Sequence, residues 1–211
     1  MMETLARKWA HKIAFELKYD DEKEQVVAYG MIALVQIVIT TFMVAVLGFL
    51  FKVPLQALLL CWAVSLLRKY SGGAHLQTME ACTLMSIILS LLLALLATHL
   101  LAVLVSAPLF LAAIIIVYGL AFAICLKKVP VDNPNKPIRT AAKRKRMKKY
   151  TMLVLFAYFI ISIILFVVKD YLAIFSALNF SLLLAVLWQV ITLTNFGKYT
   201  FSQIDKLNRV F

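Results

Sequence analysis

Polar and apolar positions fall into long blocks along this chain. Residues 4–17 set Leu5, Trp9, Ile13 and Leu17 four apart, with Arg7, Lys8 and Lys12 between them. That spacing predicts an amphipathic helix lying in a membrane interface with its basic side chains toward lipid head groups, or else a solvated helix docked on the rest of the protein. The acidic cluster Asp20, Asp21, Glu22 and Glu24 ends this stretch. Six apolar runs follow, at residues 27–51, 54–67, 83–105, 108–126, 151–168 and 171–193. A helical crossing needs about 20 apolar residues, so the first, third, fourth and sixth runs qualify and the fifth does so narrowly. The second would reach only about 21 Å as a helix against a hydrocarbon core of about 30 Å. Either its ends extend it or the segment after it dips into the bilayer. The expected fold is all-α: a polytopic membrane protein of about six transmembrane helices with an N-terminal amphipathic interfacial helix. One membrane-embedded domain would cover residues 1–211, with an interfacial segment at 1–26, a helical bundle at 27–193 and a cytoplasmic tail at 194–211.

Composition strengthens this picture. Hydrophobic residues make up 64% and charged residues 15% of the chain, against about half and a quarter in soluble proteins. The net charge of +12 raises the possibility of nucleic acid, but the basic residues flank apolar runs and do not interleave with aromatics. Orientation accounts for them better. With six spans and the N-terminus inside, every Lys and Arg except Lys52 and Lys169 falls on inner segments. This bias places both termini and the connection after the second run on the cytoplasmic side. Four spans with two interfacial segments form the alternative. The first 25 residues lack the short apolar core and small-residue cleavage site of a secretory signal, so the N-terminus is expected to be retained. Cys61, Cys82 and Cys125 lie in or beside apolar runs and are odd in number, which predicts free thiols.

The chemistry concentrates in one polar interruption, Arg68-Lys-Tyr-Ser-Gly-Gly-Ala-His-Leu-Gln-Thr-Met-Glu-Ala-Cys82. A thiol becomes a strong nucleophile when a base takes its proton or a cation stabilises its thiolate, so His75 and Cys82 are candidates for covalent catalysis. On one continuous helix, seven steps would separate them by about 10 Å along the axis. The chain must therefore break, and Gly72-Gly73 tolerates a tight bend. Cys82 would then sit in the first turns of the next helix, capped by Thr78, where the positive helix end favours a thiolate. Glu80 opposes that field, although it could orient His75 as a third member. The competing reading is that Cys82 is a small packing residue and His75 a satisfied polar group near the membrane surface. Ser71 is a poorer nucleophile than cysteine near neutral pH.

This segment resembles the active-site segment of the AgrB family of membrane-embedded peptidases, which process the precursor of a bacterial signalling peptide. The likeness rests on Arg68, Gly73, His75 and Cys82 in that order behind a short apolar run. The proline-containing Val131-Asp-Asn-Pro-Asn-Lys-Pro-Ile138 after the fourth span adds to it. The resemblance implies that Cys82 is the nucleophile and His75 the base, with Arg68 and Gly73 also family features. It further implies a short propeptide substrate with an acidic C-terminal tail, closure of a thiolactone or lactone ring, and a homodimer.

Arg68 could hold a substrate carboxylate or carbonyl, or serve as an interfacial anchor like Lys69. The basic run Lys143, Arg144, Lys145, Arg146, Lys148 and Lys149, with Lys136 and Arg139 upstream, reads as a cytoplasmic loop. It would hold topology and touch anionic lipids, or capture the acidic tail. His99, Cys61 and Cys125 read as packing residues, with His99 hydrogen-bonded inside the bundle, while Gln36, Asn179 and Gln189 would join helices. No cofactor is expected. Neither is a metal, since no His-Glu-x-x-His occurs. A peptide transporter or export channel, or a scaffold whose basic run recruits an acidic partner, would not require Cys82.

Overall fold

The computed structural model describes residues 2–74, 76, 78–132, 138 and 140–207, and these form helices with no strand among them. Asp20 opens the bundle. Its carboxylate accepts the Lys23 amide at 2.9 Å, and Asp21, Glu22 and Glu24 occupy the first turn of α2 (Asp21–Leu50). Acidic side chains there complement the positive helix end and fix where the helix begins.

The preceding α1 (Met2–Glu16) docks on α2, but not through the predicted stripe. Ala6, Ala10 and Ala14 are fully buried, whereas Trp9 is 58% exposed. Small residues four apart allow close helix approach. The larger apolar side chains Trp9, Phe15 and Leu17 therefore remain on the outward face, where an interfacial helix meets lipid.

The second apolar run is extended by its own end. Helix α3 (Pro54–Ser71) starts with proline in its first turn and continues through Arg68 and Lys69, which gives it a length of about 27 Å. It packs against α2, α4, α7 and α8, so it is the central helix. Burial among neighbours explains why it carries Gln56 and Arg68 where a lipid-facing helix would be apolar. Helix α4 (Met79–Leu95) runs into a π-helical segment, Leu96–Leu101, and the short α5 (Ala102–Leu104). Then come α6 (Ala107–Lys128), α7 (Ala141–Val167), α8 (Ala173–Thr192) and α9 (Asn195–Leu207). Five stretches are long and apolar enough to cross a membrane: Asp21–Leu50, Met79–Leu104, Ala107–Lys128, Ala141–Val167 and Ala173–Thr192. The chain is an all-α polytopic membrane protein.

Loop hydrogen bonds bring the α3, α6 and α8 C-termini together. The Val131 amide donates to the Ser71 carbonyl at 2.9 Å, the Ala74 amide donates to the Thr192 carbonyl at 3.0 Å, and Lys148 Nζ donates to the Leu126 carbonyl at 2.6 Å. Arg68, Lys69, Lys127, Lys128 and the start of α7 therefore share one end of the bundle. Lys52 and Lys169 follow α2 and α7 at the other. This is the charge asymmetry that the sequence implied.

The core lies where α3, α6, α7 and α8 meet. Phe110 stacks on Phe180 at 4.0 Å between ring centroids, and Tyr118 and Ser162 share a hydroxyl hydrogen bond of 2.8 Å. Asn179 Nδ2 donates to the Ser162 carbonyl at 2.8 Å, so it joins α8 to α7 as expected. Two expectations change. His99 is exposed on the π-helical segment and is not a bundle-interior group. Residues 143–149 form the first turns of α7, because Thr140 caps that helix through the Lys143 amide. The tail contains the strongly amphipathic α9.

Candidate active site

The site is built on the break between α3 and α4. Gly72 has φ +71° and ψ −151°, and Gly73 has φ +130°; both conformations are essentially closed to other residues. Space closes them too. A Cβ on Gly72 would overlap the Val131 carbonyl oxygen, and one on Gly73 would fall 2.6 Å from Thr192 Oγ1. The bend therefore fits tightly between the 129–131 segment and the end of α8.

Gln189 of α8 clasps this bend from within the bundle. Its Nε2 donates to Ser71 Oγ at 2.9 Å and to the Gly72 carbonyl at 2.8 Å, and the side chain is fully buried. Ser71 is fully buried as well and its hydroxyl donates to the Gly72 carbonyl at 3.1 Å, which removes it as a nucleophile. Gln189→Leu would leave the Ser71 hydroxyl and the Gly72 carbonyl without this donor, at a cost of about 1–3 kcal/mol. The expected result is a lower thermal midpoint in detergent and faster proteolysis at residues 72–78.

Beyond the bend, Leu76 is buried and Thr78 starts α4. Thr78 Oγ1 accepts the Ala81 amide at 3.3 Å, and its carbonyl accepts the Cys82 amide at 3.1 Å. Cys82 is thus half-buried in the first turn of α4, the position predicted from the sequence. Glu80 is exposed in the same turn. His75 lies outside the described residues, as do Lys136 and Arg139.

Arg68 meets Cys82 from the facing helix. One terminal nitrogen of the guanidinium donates to the Ala74 carbonyl, the group lies 5.9 Å from the Phe201 ring centroid, and it interacts electrostatically with Cys82. Its Nε is buried without a hydrogen-bond partner. No carboxylate among the described residues pairs with Arg68. A buried donor without a partner can serve an oxyanion. Both residues line a cavity of about 50 Å³ to which Trp188 of α8 and Phe201 of α9 also contribute.

Gly73 joins this group as the hinge. Lys143, Arg144 and Lys145 do not line the cavity; they are exposed on the first turns of α7, and Arg144 bridges to Asp132 at 3.1 Å. Sequence reading assigned Gln189 a helix-joining role and passed over Thr192, Trp188 and Phe201. An amide inside an apolar run was the one signal available for any of these.

Over residues 6–193 the chain matches the family described as Accessory gene regulator B, AgrB. It is 36% identical over 208 residues to an AgrB-like protein of Clostridium perfringens strain SM101, covering 97% of each chain. It is 35% identical over the same length to a second AgrB-like protein, from strain 13 of that species, again with 97% of each covered. No solved structure matches it. Similarity of this extent over nearly the whole length shows that the chain belongs to the accessory gene regulator B family.

Proposed function

We propose that this protein is a membrane-embedded cysteine endopeptidase that removes the C-terminal tail of a small signalling propeptide and promotes its cyclisation. Family membership ties the chain to quorum-sensing propeptide processing. The observation that carries the finer reading is the meeting of Cys82, at a helix start, with the unpaired Arg68 Nε on one cavity. In this reading His75 takes the Cys82 proton and the thiolate attacks the scissile carbonyl. Arg68 Nε holds the developing oxyanion, and the proton returns to the leaving amine as the tail departs. A Cys or Ser of the propeptide then attacks the thioester, closes a thiolactone or lactone and frees Cys82. A water-poor site favours that exchange over hydrolysis.

The basic residues at the start of α7 suit an acidic tail. Lys143, Lys145, Arg146 and Lys149 have no carboxylate partner among the described residues, and they crowd the positive end of a helix, where cations are disfavoured. An incoming anion relieves both repulsions. Lys136 and Arg139 would add to the same receptor, and anionic lipid head groups would compete for it. Replacing the basic residues of 143–149 by glutamine is expected to raise KM with little change in kcat, because binding common to ground and transition states is lost. The effect should fade as salt rises, and neutral-tailed propeptides should not feel it.

The clustering of basic residues at the active-site end orients that end and both termini to the cytoplasm, where a new propeptide is available. The working form would be a homodimer in the cell membrane. The deciding experiment mixes the membrane-inserted protein with a family propeptide and looks for a denaturant-stable adduct that added thiol releases. Absence of the adduct while the peptide still crosses the membrane would favour a transporter.

A further inference from the structure

The cavity next to Cys82 runs along the α3–α4 interface into the apolar part of the bundle. Its levels are set by facing pairs. Arg68 and Cys82 line it at the active-site end, and Cys61 and Ser90 line it deeper in the bundle. Eight residues of helix, about 12 Å of rise, separate Cys82 from Ser90, and both line the cavity. The walls between them are Ser65 on α3 and Ser86 on α4. Each of these hydroxyls turns back to its own helix, Ser65 Oγ to the Cys61 carbonyl at 2.8 Å and Ser86 Oγ to the Cys82 carbonyl at 2.8 Å. Their hydrogens are therefore already used, and the remaining lining is largely Leu60, Val64, Met85 and Leu89. A side chain entering this space finds small, hydrogen-bonded walls and aliphatic carbon.

We infer that this cavity is a specificity pocket that takes one unbranched or slender apolar side chain of the substrate residue whose carbonyl Cys82 attacks, with Ser90 and Cys61 setting its depth. The inference rests on the peptidase reading above. It follows from continuity with the nucleophile: an acyl group on Sγ has its side chain within reach of the cavity, whose wall Trp188 and Phe201 complete. A volume of about 50 Å³ is several times what one water molecule needs, and burying each methylene there is worth about fourfold in binding. Charged side chains would find no partner below Arg68.

A test that needs no propeptide uses alkyl methanethiosulfonates. The Cys82 thiolate attacks the sulfenyl sulfur, forms a mixed disulfide and expels methanesulfinate. In a Cys61→Ser, Cys125→Ala background, which keeps the size of residue 61 and leaves Cys82 as the remaining thiol, labelling should quicken from methyl to n-butyl reagent by about tenfold or more, relative to a small free thiol. Ser90→Leu should bring the n-butyl rate down to the methyl rate of the same variant, and circular dichroism of that preparation reports that it is folded. Equal rates along the series, or a Ser90→Leu variant that keeps the n-butyl advantage, would overturn the pocket. Propeptide cleavage by the wild-type protein is read separately, so loss of the alkyl-length preference and loss of peptidase activity are distinguishable.

Discussion

Cys82→Ala is expected to lower propeptide cleavage by at least about a thousandfold while the protein remains inserted, because the covalent route disappears with its nucleophile. The thiol-sensitive adduct should vanish with it. Cys125→Ala should keep most activity, since Cys125 is buried in the α6 core away from the cavity. Cys61→Ala should show a milder change that depends on the substrate side chain, since Cys61 lines the cavity floor. His75→Ala should match Cys82→Ala in size. The double variant should be scarcely worse than either one, since residues acting as a unit in one step are strongly non-additive. Equal losses from all three cysteine substitutions would mean packing and would remove Cys82 from the mechanism. The assay is single-turnover cleavage in liposomes, with insertion checked on the same preparation.

Gly72→Ala should be the most damaging change that touches no reacting atom. The residue holds φ +71° and ψ −151°, a region that costs a non-glycine residue about 1–3 kcal/mol, and its new Cβ would meet the Val131 carbonyl oxygen. The bend or the 129–131 segment must move. A misplacement of about 1 Å in a catalytic constellation can cost about a hundredfold in rate. The expected outcome is a loss of kcat of that order, with helix content and insertion close to wild type. Full activity in Gly72→Ala would show that the bend does not position the site.

Much of this architecture could be read from the sequence because a membrane imposes one coarse demand, about 20 apolar residues per crossing. That demand located α2, α4, α6, α7 and α8, and the basic residues marked one end of the bundle. It could not locate α3 in full. A central helix surrounded by protein is allowed Gln56, Arg68 and Lys69, so its apolar run understates its length. Helix α1 misled for a different reason: its docking face is made of alanines, whose weak hydrophobicity is hidden by Trp9 and Leu17. The bend and the Thr78 cap were readable because glycine pairs and cap residues act locally. Trp188, Thr192 and Phe201 were not, since their roles depend on helices more than 100 residues apart meeting at one end. Sequence placed residues 143–149 in a loop because charge density was the only signal there, whereas Thr140 starts a helix and the apolar half of α7 carries it onward.

Phe201 belongs to α9, which is synthesised after the five crossing helices found among the described residues, yet it lines the cavity beside Cys82 and lies 5.9 Å from Arg68. A ribosome-bound chain with these spans inserted but without α9 would still lack the Phe201 part of that wall. The cavity beside Cys82 is therefore completed only after α9 has been made and has folded back onto the bundle, a step later than insertion of the spans.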